Sequence, residues 1–104
     1  SMTKLVDHIL EIVDECFGDQ INKDSVFYER FITHLKFFAQ RIFAGKEVES
    51  DDTEFQDIIR NKYQDCIDCV EKIKAYIKDT CNHDVTDEEM MYLTVHVKRV
   101  TTKK

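Results

Sequence analysis

Thr86-Asp87-Glu88-Glu89-Met90-Met91-Tyr92-Leu93-Thr94-Val95-His96-Val97-Lys98-Arg99-Val100 carries both a start signal and a period. Thr86 followed three residues later by Glu89 is a capping box, in which each end satisfies a backbone amide of the other. Met90, Leu93, Val97 and Val100 then recur at helical spacing, so a helix opens at Thr86 and frays towards Lys103-Lys104. Upstream, Asn82-His83-Asp84-Val85 reads as a turn, and residues 65–81 form a helix with Ile67, Val70, Ile73 and Ile77 inward. A shorter helix from about Thr53 to Tyr63 is carried by Phe55, Ile58 and Ile59, and the polar stretch 46–52 before it is a loop.

Another helix starts after Asp24 or Ser25 and runs to Ala44, with Gly45 beyond it. Its apolar positions Phe27, Phe31, Ile32, Leu35, Phe37, Phe38, Ile42 and Phe43 go nearly all the way round. Such a helix is central in the fold, or faces both a core and a partner subunit. The first helix spans about Thr3 to Phe17, with Thr3 as its cap, Gly18 as its stop, and Leu5, Ile9, Ile12, Val13 and Cys16 on one face. The expected fold is all-α, a compact bundle of about five helices in a single domain over residues 1–104. Ser1 before Met2 reads as a cloning remnant, and the chain is expected to be a piece excised from a longer protein.

Composition agrees and excludes several classes. With no Pro and 2 Gly among 104 residues, the chain has too few turn formers for an all-β fold. Its 42% hydrophobic content, including 7 Phe and 4 Tyr, fills one core and argues against disorder. The net charge of −6 makes direct nucleic-acid binding by this domain unfavourable, because cationic contacts to phosphates supply most of that affinity. No apolar run approaches the roughly 20 residues of a membrane span, and the N-terminus lacks a signal-peptide pattern, so no membrane association is expected.

Cys66-x-x-Cys69 followed by Cys81-x-His83 offers four soft or borderline metal ligands. The pair Cys66 and Cys69, however, falls in helical register with Val70, Ile73 and Ile77, where a free thiol packs as a small hydrophobe. No metal, no cofactor and no disulfide are expected. There is also no H-E-x-x-H spacing and no Gly-rich phosphate loop, so the chain does not read as an enzyme.

The histidines separate into two kinds. His8 suits a surface or boundary position, and His83 lies in the polar turn. His34 shares a helical stripe with Phe27, Arg30, Phe38 and Arg41, and His96 shares one with Tyr92 and Arg99. A neutral imidazole nitrogen is a competent nucleophile, and Arg30, Arg41 and Arg99 are candidates to clamp a phosphoryl group placed on it. The alternative is that each histidine hydrogen-bonds in a core while each arginine pairs with a carboxylate.

Two strings, Arg30-Phe31-Ile32-Thr33-His34-Leu35-Lys36-Phe37-Phe38-Ala39-Gln40-Arg41 and Glu88-Glu89-Met90-Met91-Tyr92-Leu93-Thr94-Val95-His96-Val97-Lys98-Arg99-Val100, closely resemble the PTS regulation domain of bacterial BglG/SacY-type transcriptional antiterminators. They look most like the second of the two copies those proteins carry. Thr3-Lys4-Leu5-Val6, residues 58–63 and residues 69–73 resemble the family as well, so the likeness covers Thr3 to about Val100. One departure is Gln64, where the family often has Pro after the Lys-Tyr pair.

The resemblance implies that His34 and His96 are phosphorylatable histidines. The donors it implies are the phosphocarrier protein HPr and a sugar-specific enzyme II. It further implies a cytoplasmic homodimer whose packing shifts on phosphorylation and so controls an RNA-binding module elsewhere in the parent protein. Two alternatives stay open. One is a histidine phosphotransfer domain of a phosphorelay, which needs only one exposed histidine. The other is the same kind of domain in a DNA-binding transcriptional activator.

Overall fold

Ser1, two residues before the expected cap, starts the first helix: its hydroxyl accepts from the backbone N–H of Lys4 at 3.3 Å. In the computed structural model, which describes residues 1–46 and 53–101, helix α1 runs over Met2–Phe17. Gly18 ends it at φ 48°, a left-handed value that suits glycine, and a single 3-10 turn follows over Gly18–Gln20. Ser25 caps α2 (Val26–Phe43) by accepting from the Tyr28 amide at 3.1 Å. Helix α3 spans Thr53–Lys62 and α4 spans Gln64–Cys81. Asn82 closes α4 in the left-handed region at φ 52°, a conformation that asparagine tolerates better than most residues.

The capping box that opens α5 (Asp87–Val100) is fully formed. Thr86 Oγ1 accepts from the Glu89 amide at 3.1 Å, and Glu89 Oε1 accepts from the Thr86 amide at 2.9 Å. The described residues thus form five α-helices and no strand, the all-α bundle expected. The 46–52 loop falls, apart from Lys46, outside the described residues.

Gln64 occupies the first position of α4. Helix N-termini leave that amide without an intrahelical partner, so proline is favoured there and glutamine serves as well. Its side chain turns along the helix and donates to Asp68 Oδ1 at 3.0 Å. The family's departure at this residue therefore leaves the turn into α4 intact.

Helix α5 is the central element. It packs against α2, α3 and α4, while α1 covers α2 and α4. Met90, Met91, Leu93, Val97 and Val100 of α5 are buried together with Phe31, Leu35 and Phe38 of α2, Val70, Ile73 and Ile77 of α4, and Ile9 and Val13 of α1. The radius of gyration is 13.0 Å, the size of a closely packed chain of this length. Helix α2, by contrast, is two-sided: Phe31, Leu35, Phe38, Ala39 and Ile42 face the core, while Phe27 and Phe37 remain 38% and 53% exposed. Its nearly continuous apolar circumference is thus one core face plus one uncovered face.

The cysteines pack. Cys66 and Cys69 are buried in the α4 face of the core, Cys16 and Cys81 are half-buried, and all four are free thiols. Burial pushes the Cys66 thiol up to about 11, with the neighbouring Asp65 carboxylate adding to it. Burial, then the Cys16 thiol, raises Cys69 further. Thiols held protonated are poor nucleophiles and poor metal ligands.

Candidate functional site

Helical geometry sets the site before any side chain is considered. Taking α2 as a cylinder of 3.6 residues per turn, Phe27, His34, Arg41 and Arg30 follow one another along the flank of its core face, with Phe37 further round. His34 and Arg41 are half-buried, whereas Arg30, at nearly the same angle but about three turns nearer the start of the helix than Arg41, is exposed. On α5, Tyr92 and His96 are one turn apart on the side that packs against α2. The two helices therefore meet with both histidines in contact.

The His34 and His96 ring centroids are 4.4 Å apart with their planes tilted by 35°. Tyr92 stands edge-on to both, at 5.5 Å from His34 and 4.7 Å from His96. The Tyr92 hydroxyl and Nδ1 of His34 share a hydrogen bond that ties α5 to α2. Below the pair, the Phe31 ring lies nearly parallel to His96 at 6.2 Å. The Tyr92 phenol thus contacts both imidazoles, and the Phe31 ring lies against His96.

Their electrostatics differ. His96 is only 7% exposed, and its pKa is pushed down to about 4, first by burial, then by His34 and the Arg99 guanidinium. It is therefore a neutral base at pH 7. Burial raises the Tyr92 phenol, and Arg41 partly offsets this, which places the Arg41 charge within electrostatic reach of the hydroxyl. The Arg41 guanidinium carbon lies 5.8 Å from the Phe38 ring centroid, and its Nε is buried without a hydrogen-bond partner. A guanidinium with an unpartnered donor, acting on the hydroxyl that Tyr92 shares with His34, suits an anion with several acceptor oxygens. Of the three arginines singled out by spacing, Arg41 lies beside Tyr92 and Arg99 acts on His96. Arg30 is exposed.

The pKa of His96 makes stability depend on pH. An unfolded histidine titrates near about 6.5, so between that value and about 4 the unfolded chain holds a proton that folded His96 refuses. This contribution to stability is complete above about pH 6.5 and is lost as the pH falls towards 4. Between pH 7 and pH 4.5 the wild-type domain should lose about 2 kcal/mol more than His96→Gln. Urea unfolding of both chains at the two pH values measures the difference, and equal losses would refute the assignment.

Two other histidines behave differently from one another. His8 stacks on Tyr76 at 3.9 Å and faces Glu11 at 3.5 Å, the boundary position expected. His83 corrects its reading as a member of a polar turn: it is 9% exposed, and its Nε2 lies 3.6 Å from Oε1 of Glu89, which is 1% exposed. The capping-box glutamate is therefore also a buried partner, and nothing in the Asn82–Val85 composition signals it. Among the described residues no group of three His, Cys, Asp or Glu side chains could hold a metal ion, and no helix is long and apolar enough to cross a membrane.

A helical bundle with paired histidines at a helix–helix seam is the arrangement on which relationship to known proteins bears. Residues 7–100 match the PRD domain family, and the chain belongs to it. It is 43% identical over 100 residues to transcription antiterminator LicT of Bacillus subtilis (strain 168), covering 96% of this chain and 36% of that protein. The beta-glucoside operon antiterminator of Dickeya chrysanthemi is 36% identical over 102 residues, covering 98% and 36%. The PtsGHI operon antiterminator of Bacillus subtilis (strain 168) is 29% identical over 101 residues, covering 97% and 36%. The chain spans about a third of the length of these relatives, all of which are regulators named for antitermination.

Proposed function

We propose that this chain is a phosphorylation-controlled regulatory domain of a bacterial transcriptional antiterminator. It accepts phosphoryl groups on His34 and His96 from the sugar phosphotransferase system, through HPr and a sugar-specific enzyme II. It performs no catalysis of its own: the donor brings the activated phosphoryl group and the domain supplies the nucleophile. Residues 1–104 act as one such domain of a longer cytoplasmic regulator, whose dimerisation and RNA binding it controls.

The observation that carries this reading is the contact of the two imidazoles across the α2–α5 seam, 4.4 Å between centroids, with the Arg41 charge acting on the Tyr92 hydroxyl that bonds to one of them. A phosphoryl group brings roughly 1.5 to 2 negative charges and several strong acceptor oxygens. Placed on either ring it would meet a guanidinium but crowd the other ring, so the seam has to repack. The uncovered α2 face with Phe27 and Phe37 adjoins His34, which supports a homodimer interface that responds to that repacking.

Incubating the chain with enzyme I, HPr and phosphoenolpyruvate, then measuring its intact mass at alkaline pH, tests the reading. One or two phosphoryl additions are expected, and the His34→Ala/His96→Ala chain, verified as helical by circular dichroism, should show none. Labelling that persists in that double variant would overturn the site assignment, and a wild-type chain left unmodified by active donors would overturn the function.

A further inference from the structure

The hydrogen bond between α5 and α2 selects between the two nitrogens of one ring. We propose that Tyr92 is a positioning residue that commits His34 to accept its phosphoryl group at Nε2, an inference that rests on the phosphorylation reading above. Nδ1 of His34 is occupied by the Tyr92 hydroxyl. Nε2 has no hydrogen-bond partner among the described residues and, unlike the Nε of Arg41, is not sealed from solvent. The hydrogen bond made by one imidazole nitrogen sets what the other can do. With the proton on Nδ1 donated to the Tyr92 oxygen, the Nε2 lone pair is free to attack.

The step balances without a moving proton. The donor is a phosphohistidine protonated on its other ring nitrogen, as a phosphocarrier supplies. The Nε2 lone pair of His34 forms the new N–P bond, and the electron pair of the breaking N–P bond returns to the donor ring. The donor leaves as a neutral imidazole with its N–H intact. His34 becomes a phosphorylated imidazolium whose Nδ1–H points at the Tyr92 oxygen, so the hydroxyl stabilises the positive charge where it develops. Attack through Nδ1 instead would first break the hydrogen bond and then place the phosphoryl group against the half-buried phenol.

Tyr92 is held for this task by its surroundings. Its ring is fixed edge-on between His34 and His96, so its hydroxyl cannot swing away without disturbing both contacts. The Arg41 charge acts on the same hydroxyl. A phenylalanine would keep the packing and lose only the oxygen.

The test uses the whole chain labelled with nitrogen-15 at histidine, in wild-type and Tyr92→Phe forms. Before any donor is added, ring-nitrogen shifts should report the Nδ1–H form of His34 in the wild type, and the Nε2–H form would overturn the proposal whatever the donor does. After phosphorylation, nitrogen–phosphorus coupling should place the group on Nε2 of His34, with the signal assigned by its absence in His34→Gln. Tyr92→Phe should be labelled about tenfold more slowly, the order expected for losing a hydrogen bond to a charged group, and at a mixture of both nitrogens. Phosphorylation of wild-type His34 on Nδ1, or an unchanged rate and nitrogen in Tyr92→Phe, would refute the positioning role alone. Failure of His34 to be labelled in the wild type would instead refute the phosphorylation reading on which it rests.

Discussion

Phe31→Ala is expected to destabilise the domain by about 3–5 kcal/mol, the range for deleting a buried phenyl ring. Phe31 is fully buried, at the centre of the α2 core face, where α2 meets α5. Small domains have roughly 5–15 kcal/mol of total stability, so this one change consumes a large part of it. The ring also forms the floor beneath His96 at 6.2 Å. Burial is the main cause of the low His96 pKa; a cavity that admits water should therefore move the His96 titration back towards its ordinary value. Urea unfolding measures the first effect and a histidine titration by nuclear magnetic resonance the second. A large loss of stability with the His96 titration unmoved would show that Phe31 fills the core without shaping the site.

Glu89→Ala should cost on the order of 3 kcal/mol, more than a lost helix cap alone, which is typically about 1 kcal/mol. Two roles converge on this carboxylate. It closes the capping box by accepting from the Thr86 amide at 2.9 Å, and it is the buried partner of His83 at 3.6 Å. Its Oε2 and the His83 Nε2 have no hydrogen-bond partner of their own, so the two groups depend on each other for compensation. Removing one leaves the other stranded in the interior. His83→Ala should therefore cost less in the Glu89→Ala background than in the wild type, with a coupling of about 0.5–3 kcal/mol. Strict additivity in denaturant midpoints would show that the pair does not interact.

These two residues mark where sequence reading stops. The Thr86–Glu89 spacing announced a helix start, and that start is found, because a capping box is a local device written within four residues. That the same glutamate is buried depends on how the 82–86 segment folds back over α5, and its four polar or half-polar neighbours carry no sign of it. His34 and His96 could be singled out from stripes on their own helices. Their contact with each other, and the Tyr92 bond to His34 across a separation of 58 residues, follow from the angle at which α2 meets α5, which periodicity does not encode. Tyr92 did lie one turn before His96 on the same stripe, and that spacing was its only signal.

The two faces of α2 were partly legible in the same way. An apolar pattern that nearly encircles a helix allows either complete burial or a second docking face. The choice was made by α5, whose burial on three sides leaves α2 at the flank. Position along α2, not angle around it, separates the arginines: Arg30 and Arg41 share one stripe, but Arg41, about three turns further on, is half-buried while Arg30 is exposed.

Gln64 at the opening of α4 has a kinetic consequence. A proline there would fit the first helical position, but it would add a bond whose cis and trans forms interchange over tens to hundreds of seconds. The sequence has no Pro at all, and glutamine makes the turn with an ordinary peptide bond. After dilution from denaturant, the domain should recover its native helicity in one phase set by helix docking, with no slow fraction for a prolyl isomerase to accelerate.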